Sequence, residues 1–189
     1  MVTEKHKKEL VEKGNKALEN SLWEEGVSAF KELDEIFPDN IGVLTNLSIC
    51  FLNSNHFEDC HEILNKLDEL TPLSLEVNYR RGNCFEKEKK YDDALKSFKK
   101  CLKIDKEHIN SWHKCAIILR ITKNFSDAIG LYKHILTIQQ SYEVLIELAI
   151  TLHLNKQNNE AIHILESMPN ENQHSKKIEE LLSKFKETI

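Results

Sequence analysis

The stretch Leu75 to His108, LEVNYRRGNCFEKEKKYDDALKSFKKCLKIDKEH, decides the fold, because its order of small and large residues returns along the whole chain. Gly14, Ser48, Gly82, Ala116 and Ala149 stand at equivalent places, separated by 34, 34, 34 and 33 residues. Self-similarity at this period predicts an all-α solenoid. Each unit is a pair of helices that buries its apolar face only by stacking on its neighbours.

Outward from this unit, the pattern divides residues 1–189 into repeats at about 7–40, 41–74, 75–108, 109–141 and 142–175, with a last helix at about 175–188. In the first repeat Leu10, Gly14 and Ala17 mark one helix, and Gly26, Phe30 and Leu33 the next. Gly14 and Gly26 are expected where two helix axes approach closely. Trp23 opens the second helix and Pro38 closes it, since proline cannot continue a helix interior. Phe57, Tyr91 and Phe125 repeat the aromatic of Trp23, but the fifth repeat has Asn158 there, so its pair is expected to pack more loosely. In the final segment Ile178, Leu181, Leu182, Phe185 and Ile189 share one helical face with charges opposite. That segment reads as a cap over the last repeat; the alternative is a helix that binds a partner.

Composition narrows the class. Apolar residues are 40 % and charged residues 30 % of 189, which suits amphipathic helices, while five Gly and three Pro are too few turn residues for an all-β fold. No apolar run nears the roughly 18 residues of a membrane span, and MVTEKHKKEL lacks the apolar core of a secretion signal. A cytoplasmic location is expected, the nucleus being possible. Five cysteines, without a CxxC pair, fall on apolar or small repeat positions and are expected to be reduced and buried.

These positions together resemble the tetratricopeptide repeat family, in five tandem repeats plus a capping helix. Departures are Lys13 and Arg81 at usually apolar places, and Lys106 and Gln140 where Pro is common. The resemblance implies a right-handed superhelix of antiparallel helix pairs, whose first helices line a concave groove. Carried onto this sequence, it places Asn15, Asn46, Tyr79, Arg80, Asn83, His113, Lys114 and Arg120 in that groove, along with Val11, Glu76, Ile146, Glu147 and His153. Such a surface suits an extended peptide or a partner helix. The expected function is a non-catalytic scaffold or adaptor for a protein or peptide partner within a larger assembly. The alternative is a cochaperone module for the acidic tail of a heat-shock chaperone. The family's clamp for that tail is matched at Asn15, Asn46 and Arg80, but Val11 and Glu76 stand where it places lysines.

Other chemistry finds little support. There is no glycine-rich phosphate loop, no HExxH, and no nucleophile in a Gly-flanked turn. Cys60 and His61 are adjacent, so on a helix they diverge by about 100° and cannot share a metal; no cofactor or metal is expected. Net charge is −8 through residue 74, +6 over 75–141 and −3 beyond. The basic middle could steer an acidic partner, but its lysines fall in turns or on second helices, where solubility explains them equally well. An acidic chain with its lysines outside the groove is not expected to bind nucleic acid.

Overall fold

A computed structural model of the protein describes residues 3–169 and 175–188. Residues 170–174, at the end of the fifth repeat, and Ile189 of the cap lie outside the described residues. Among the described residues there are eleven α-helices and no strand: α1 (Glu4–Glu19), α2 (Trp23–Ile36), α3 (Ile41–Asn53), α4 (Phe57–Leu70), α5 (Leu75–Lys87), α6 (Tyr91–Ile104), α7 (Ile109–Ile121), α8 (Phe125–Ile138), α9 (Tyr142–Leu154), α10 (Asn158–Glu166) and α11 (Ser175–Lys186). The all-α class of antiparallel helix pairs is what the structure shows.

The turn inside each pair has one construction. The first helix of every pair ends in a backbone bond from residue n to n−5, Leu22 to Ala17, His56 to Phe51, Lys90 to Phe85, Asn124 to Leu119 and Gln157 to Leu152. The residue just before each of those donors, Ser21, Asn55, Lys89, Lys123 or Lys156, takes the left-handed conformation with φ between 57° and 64°. This is the Schellman ending, which satisfies carbonyls that a helix terminus leaves unpaired. The second helix starts straight from that turn. Accordingly α2, α4, α8 and α10 have no side-chain N-cap bond and carry acidic residues in the first turn instead, such as Glu24 and Glu25 in α2. Four of the first helices are capped by side chains, Thr3 accepting from His6 N, Asn40 from Val43 N, Ser74 from Val77 N and Ser141 from Val144 N, whereas α7 after His108 is not.

The chain divides into two compact units, Met1–Lys100 and Cys101–Ile189, the division falling inside α6. In the first, Leu10, Phe30, Leu33, Leu44, Leu47, Phe51, Leu64 and Leu67 form the core. Small residues set the spacing, since a Cβ on Gly14 would lie 2.8 Å from Phe30 Cζ and one on Gly82 2.5 Å from Phe98 Cε1. Arg81, which departs from the usual apolar residue, spans to α4, donating to Asn65 Oδ1 at 2.6 Å and Leu64 O at 3.1 Å.

The second unit is built around Tyr132, Ile135, Leu148, Leu152, Leu165, Ile178 and Phe185. Helix α10 has nine residues against fourteen in α8. Asn158, in place of the aromatic, accepts from His153 Nδ1 at 2.9 Å through its Oδ1 and donates to Thr188 Oγ1 at 3.3 Å. Helix α11 packs on α10 and α9. Phe185 stacks on the His153 ring, with centroids 4.0 Å apart and planes at 8°.

Candidate functional site

In the first unit, α1 and α3 present the expected residues at a cleft of about 280 Å³. Phe30, Leu33 and Phe37 from α2 and its end line it together with Val11, Asn15, Val43 and Asn46. The lining is apolar on one side, and the two amides each offer a donor and an acceptor at its rim. A second hollow of about 490 Å³ continues along α1 past Lys8, Val11, Asn15 and Phe37. Val11 is 43 % and Phe37 37 % exposed, so apolar surface is open there. Phe37 and Val43 were not legible as site residues, because Phe37 ends a second helix and joins the cleft only through the turn toward α3.

Further along the same unit, α5 carries Glu76, Tyr79, Arg80 and Asn83. Arg80 is not a free cation: its Nη2 lies 2.6 Å from Glu76 Oε1, one helical turn away. Arg80 Nε and Asn83 Oδ1 are buried with no protein partner. Tyr79 packs its ring against Phe98 with centroids 5.5 Å apart. The expected polar residues are present, but the charge expected of Arg80 is already neutralised.

In the second unit the pairing runs between helices. Arg120 of α7 donates to Glu147 of α9 at 2.8 Å. His113 Nε2, Arg120 Nε and the Tyr132 hydroxyl are buried without a protein partner, although the hydroxyl lies near the Arg120 guanidinium. Burial pushes the Tyr132 pKa up, opposed by Arg120. His113 sits edge-on to Tyr132 at 6.0 Å, and its pKa falls below the usual range, first through burial. Lys114 is half-buried beside it. Two expected groove residues lie elsewhere. Ile146 is 1 % exposed and belongs to the core, and the His153 ring is covered by Phe185.

Residues 76–108, almost the whole of the stretch first quoted, match the tetratricopeptide repeat family model. Solved structures agree over nearly the full length. A tetratricopeptide repeat protein from Parabacteroides merdae matches 95 % of this chain and 72 % of its own at TM-score 0.79 and 15 % identity. The chain has the tetratricopeptide repeat fold. A MamA from Desulfovibrio magneticus matches this chain over 94 % and itself over 95 %, at TM-score 0.73 and 14 % identity. PilF from Pseudomonas aeruginosa matches over 96 % and 84 %, at 0.71 and 15 %. No curated protein matches the chain by sequence. Among the described residues no helix is long and apolar enough to cross a membrane.

Proposed function

We propose that this chain is a non-catalytic protein-interaction scaffold whose α1 and α3 cleft receives an extended segment of a partner protein. The supporting observation is the cleft itself, with Val11, Phe37 and Val43 beside Asn15 and Asn46. On α5, Tyr79, Arg80 and Asn83 extend the set with an aromatic surface, a donor and an acceptor. In the second unit His113, Lys114 and Arg120 offer a comparable polar surface. A peptide backbone has both donors and acceptors, and it suits unpaired groups of both kinds better than a purely anionic ligand does. A chaperone's acidic tail is the second reading, favoured by the meeting of Asn15 and Asn46 at one cleft. Glu76 opposes it, because a carboxylate seeking Arg80 must displace one already bonded there.

A photo-crosslinking residue at position 46 is expected to capture the partner, whereas one at position 69, on exposed α4 surface, is not. The double variant Asn15→Ala, Asn46→Ala, with unchanged helicity, is expected to weaken binding about tenfold, as loss of contacts worth about 1.4 kcal/mol would. Capture from position 69 alone, with full binding by the double variant, places the interface on the second helices and overturns the proposal. A synthetic acidic peptide with a free C-terminal carboxylate tests the second reading: strong, salt-sensitive binding that the double variant loses establishes it.

A further inference from the structure

Two departures from the repeat pattern meet in space. At the position of His61 the other repeats carry Val27, Leu95, Ile129 and Ile162, all aliphatic. At the position of Glu88 they carry Asn20, Ser54, Thr122 and Asn155, all neutral residues at the C-terminal end of a first helix. Three of these neutral side chains close the helix by donating to its carbonyls: Asn20 to Lys16 O at 2.7 Å, Ser54 to Cys50 O at 2.8 Å and Thr122 to Ile118 O at 3.0 Å. Glu88 cannot do so. A carboxylate at a helix C-terminus also opposes the helix dipole. Yet Glu88 is drawn inward, its side chain only 11 % exposed, and its Oε2 lies 2.6 Å from His61 Nε2.

The third member is Cys84, one turn before Glu88 on α5 and fully buried, with Sγ 3.5 Å from the same His61 Nε2. Cys84 and Glu88 at i and i+4 share a helix face, and His61 reaches them from α4. Cys60 does not join His61; its thiol donates to Ser48 O at 3.4 Å and lies in hydrogen-bonding reach of the Cys84 thiol. All three donor atoms lie within 4.8 Å of one another. A nucleophilic relay needs the thiol and the carboxylate on different ring nitrogens, and here both address Nε2. Three unlike donors aimed at one point suit a cation instead. Tetrahedral zinc places nitrogen and sulfur ligands about 3.5 Å apart and nitrogen and oxygen ligands about 3.3 Å apart. The first separation is already present, and the second requires the His61–Glu88 contact to open slightly. Phe85 packs against the His61 ring at 4.4 Å and Lys90 holds the other Glu88 oxygen, so both ligands are braced.

We propose that His61, Cys84 and Glu88 form a three-ligand site for a thiophilic divalent transition metal of the zinc type, with the partly exposed side toward solvent open to an exogenous ligand. The site shares no residue with the α1 and α3 cleft, and it ties α4 of one repeat to α5 of the next.

The test uses the purified full-length chain, kept reduced with a phosphine and titrated with cobalt(II). The expected result is a thiolate-to-cobalt charge-transfer band and tetrahedral visible bands saturating at one equivalent, both removed by zinc. His61→Val and Glu88→Ser install residues that other repeats already use, so the fold is expected to survive, as circular dichroism will show. Each is expected to weaken cobalt binding by about tenfold or more, Cys84→Ser to abolish the charge-transfer band, and Cys115→Ser to leave it intact. Absence of the bands at one equivalent overturns the site. So does a band that persists unchanged in both His61→Val and Glu88→Ser, which would assign it to adventitious thiol binding.

Discussion

At the scale of single residues, Gly82 is where packing outweighs helix propensity. Alanine favours a helix over glycine by roughly 0.5–1 kcal/mol, but its Cβ would lie 2.5 Å from Phe98 Cε1. Overpacking of this kind typically costs about 1–3 kcal/mol. Gly82→Ala is therefore expected to be destabilising in urea unfolding, and Phe98→Leu in the same chain to relieve part of the loss; a neutral or stabilising Gly82→Ala would show that the ring moves aside. His113 gives a pH dependence. Burial holds its folded pKa below the ordinary 6.5, with Lys114 and Arg120 acting in the same direction and Glu147 opposing. As pH falls below 6.5 the unfolded chain takes up the proton first, so stability drops through the window from 6.5 down to the folded pKa and is unaffected above 6.5. Unfolding at pH 5.5 and 7.5 is expected to show a smaller acid loss in His113→Gln than in the wild type, and equal losses would exclude His113 as the cause.

At the scale of elements, the repeated turn is built without glycine at its left-handed residue. Lys123 has φ 63°, a conformation that costs a residue with a Cβ roughly 1–2 kcal/mol. Lys123→Gly removes that cost while loosening the unfolded chain, for an expected net gain of up to about 1 kcal/mol. Lys123→Val is expected to be destabilising, because a β-branched side chain fits this region worst. Equal melting temperatures for the glycine and valine variants would contradict the role assigned to the turn. The aromatic residue after each turn was legible from sequence at Trp23, Phe57, Tyr91 and Phe125, and each opens a helix. What replaces it at Asn158 was not legible, because an asparagine's partners, here His153 and Thr188, depend on where α11 runs.

At the scale of the whole molecule, the five cysteines are free and buried. Burial pushes the Cys50 thiol up to about 11, so access and ionisation both protect it. A disulfide reagent at pH 8 is expected to leave all five thiols of the reduced native chain unreacted over minutes and to titrate five after unfolding. A thiol that reacts rapidly in the native state would contradict the buried assignment.

The interval between Gly14, Ser48, Gly82, Ala116 and Ala149 was enough to determine the helix pairs, their turns and the side of each first helix that meets its partner. Those features follow from the local period of the chain, repeated until it could have no other reading. The family resemblance, carried onto that register, brought Asn15 and Asn46 forward as candidates. Only the tertiary structure decided which partners the side chains meet: Glu147 takes Arg120, Phe185 covers His153, Ile146 turns into the core, and His61 meets Cys84 and Glu88. The physical reason is that a helical period fixes the angle at which a side chain leaves its own axis, whereas meeting a residue on another helix also depends on the offset and crossing of the two axes. Those are set by the packing of the small and large residues between them.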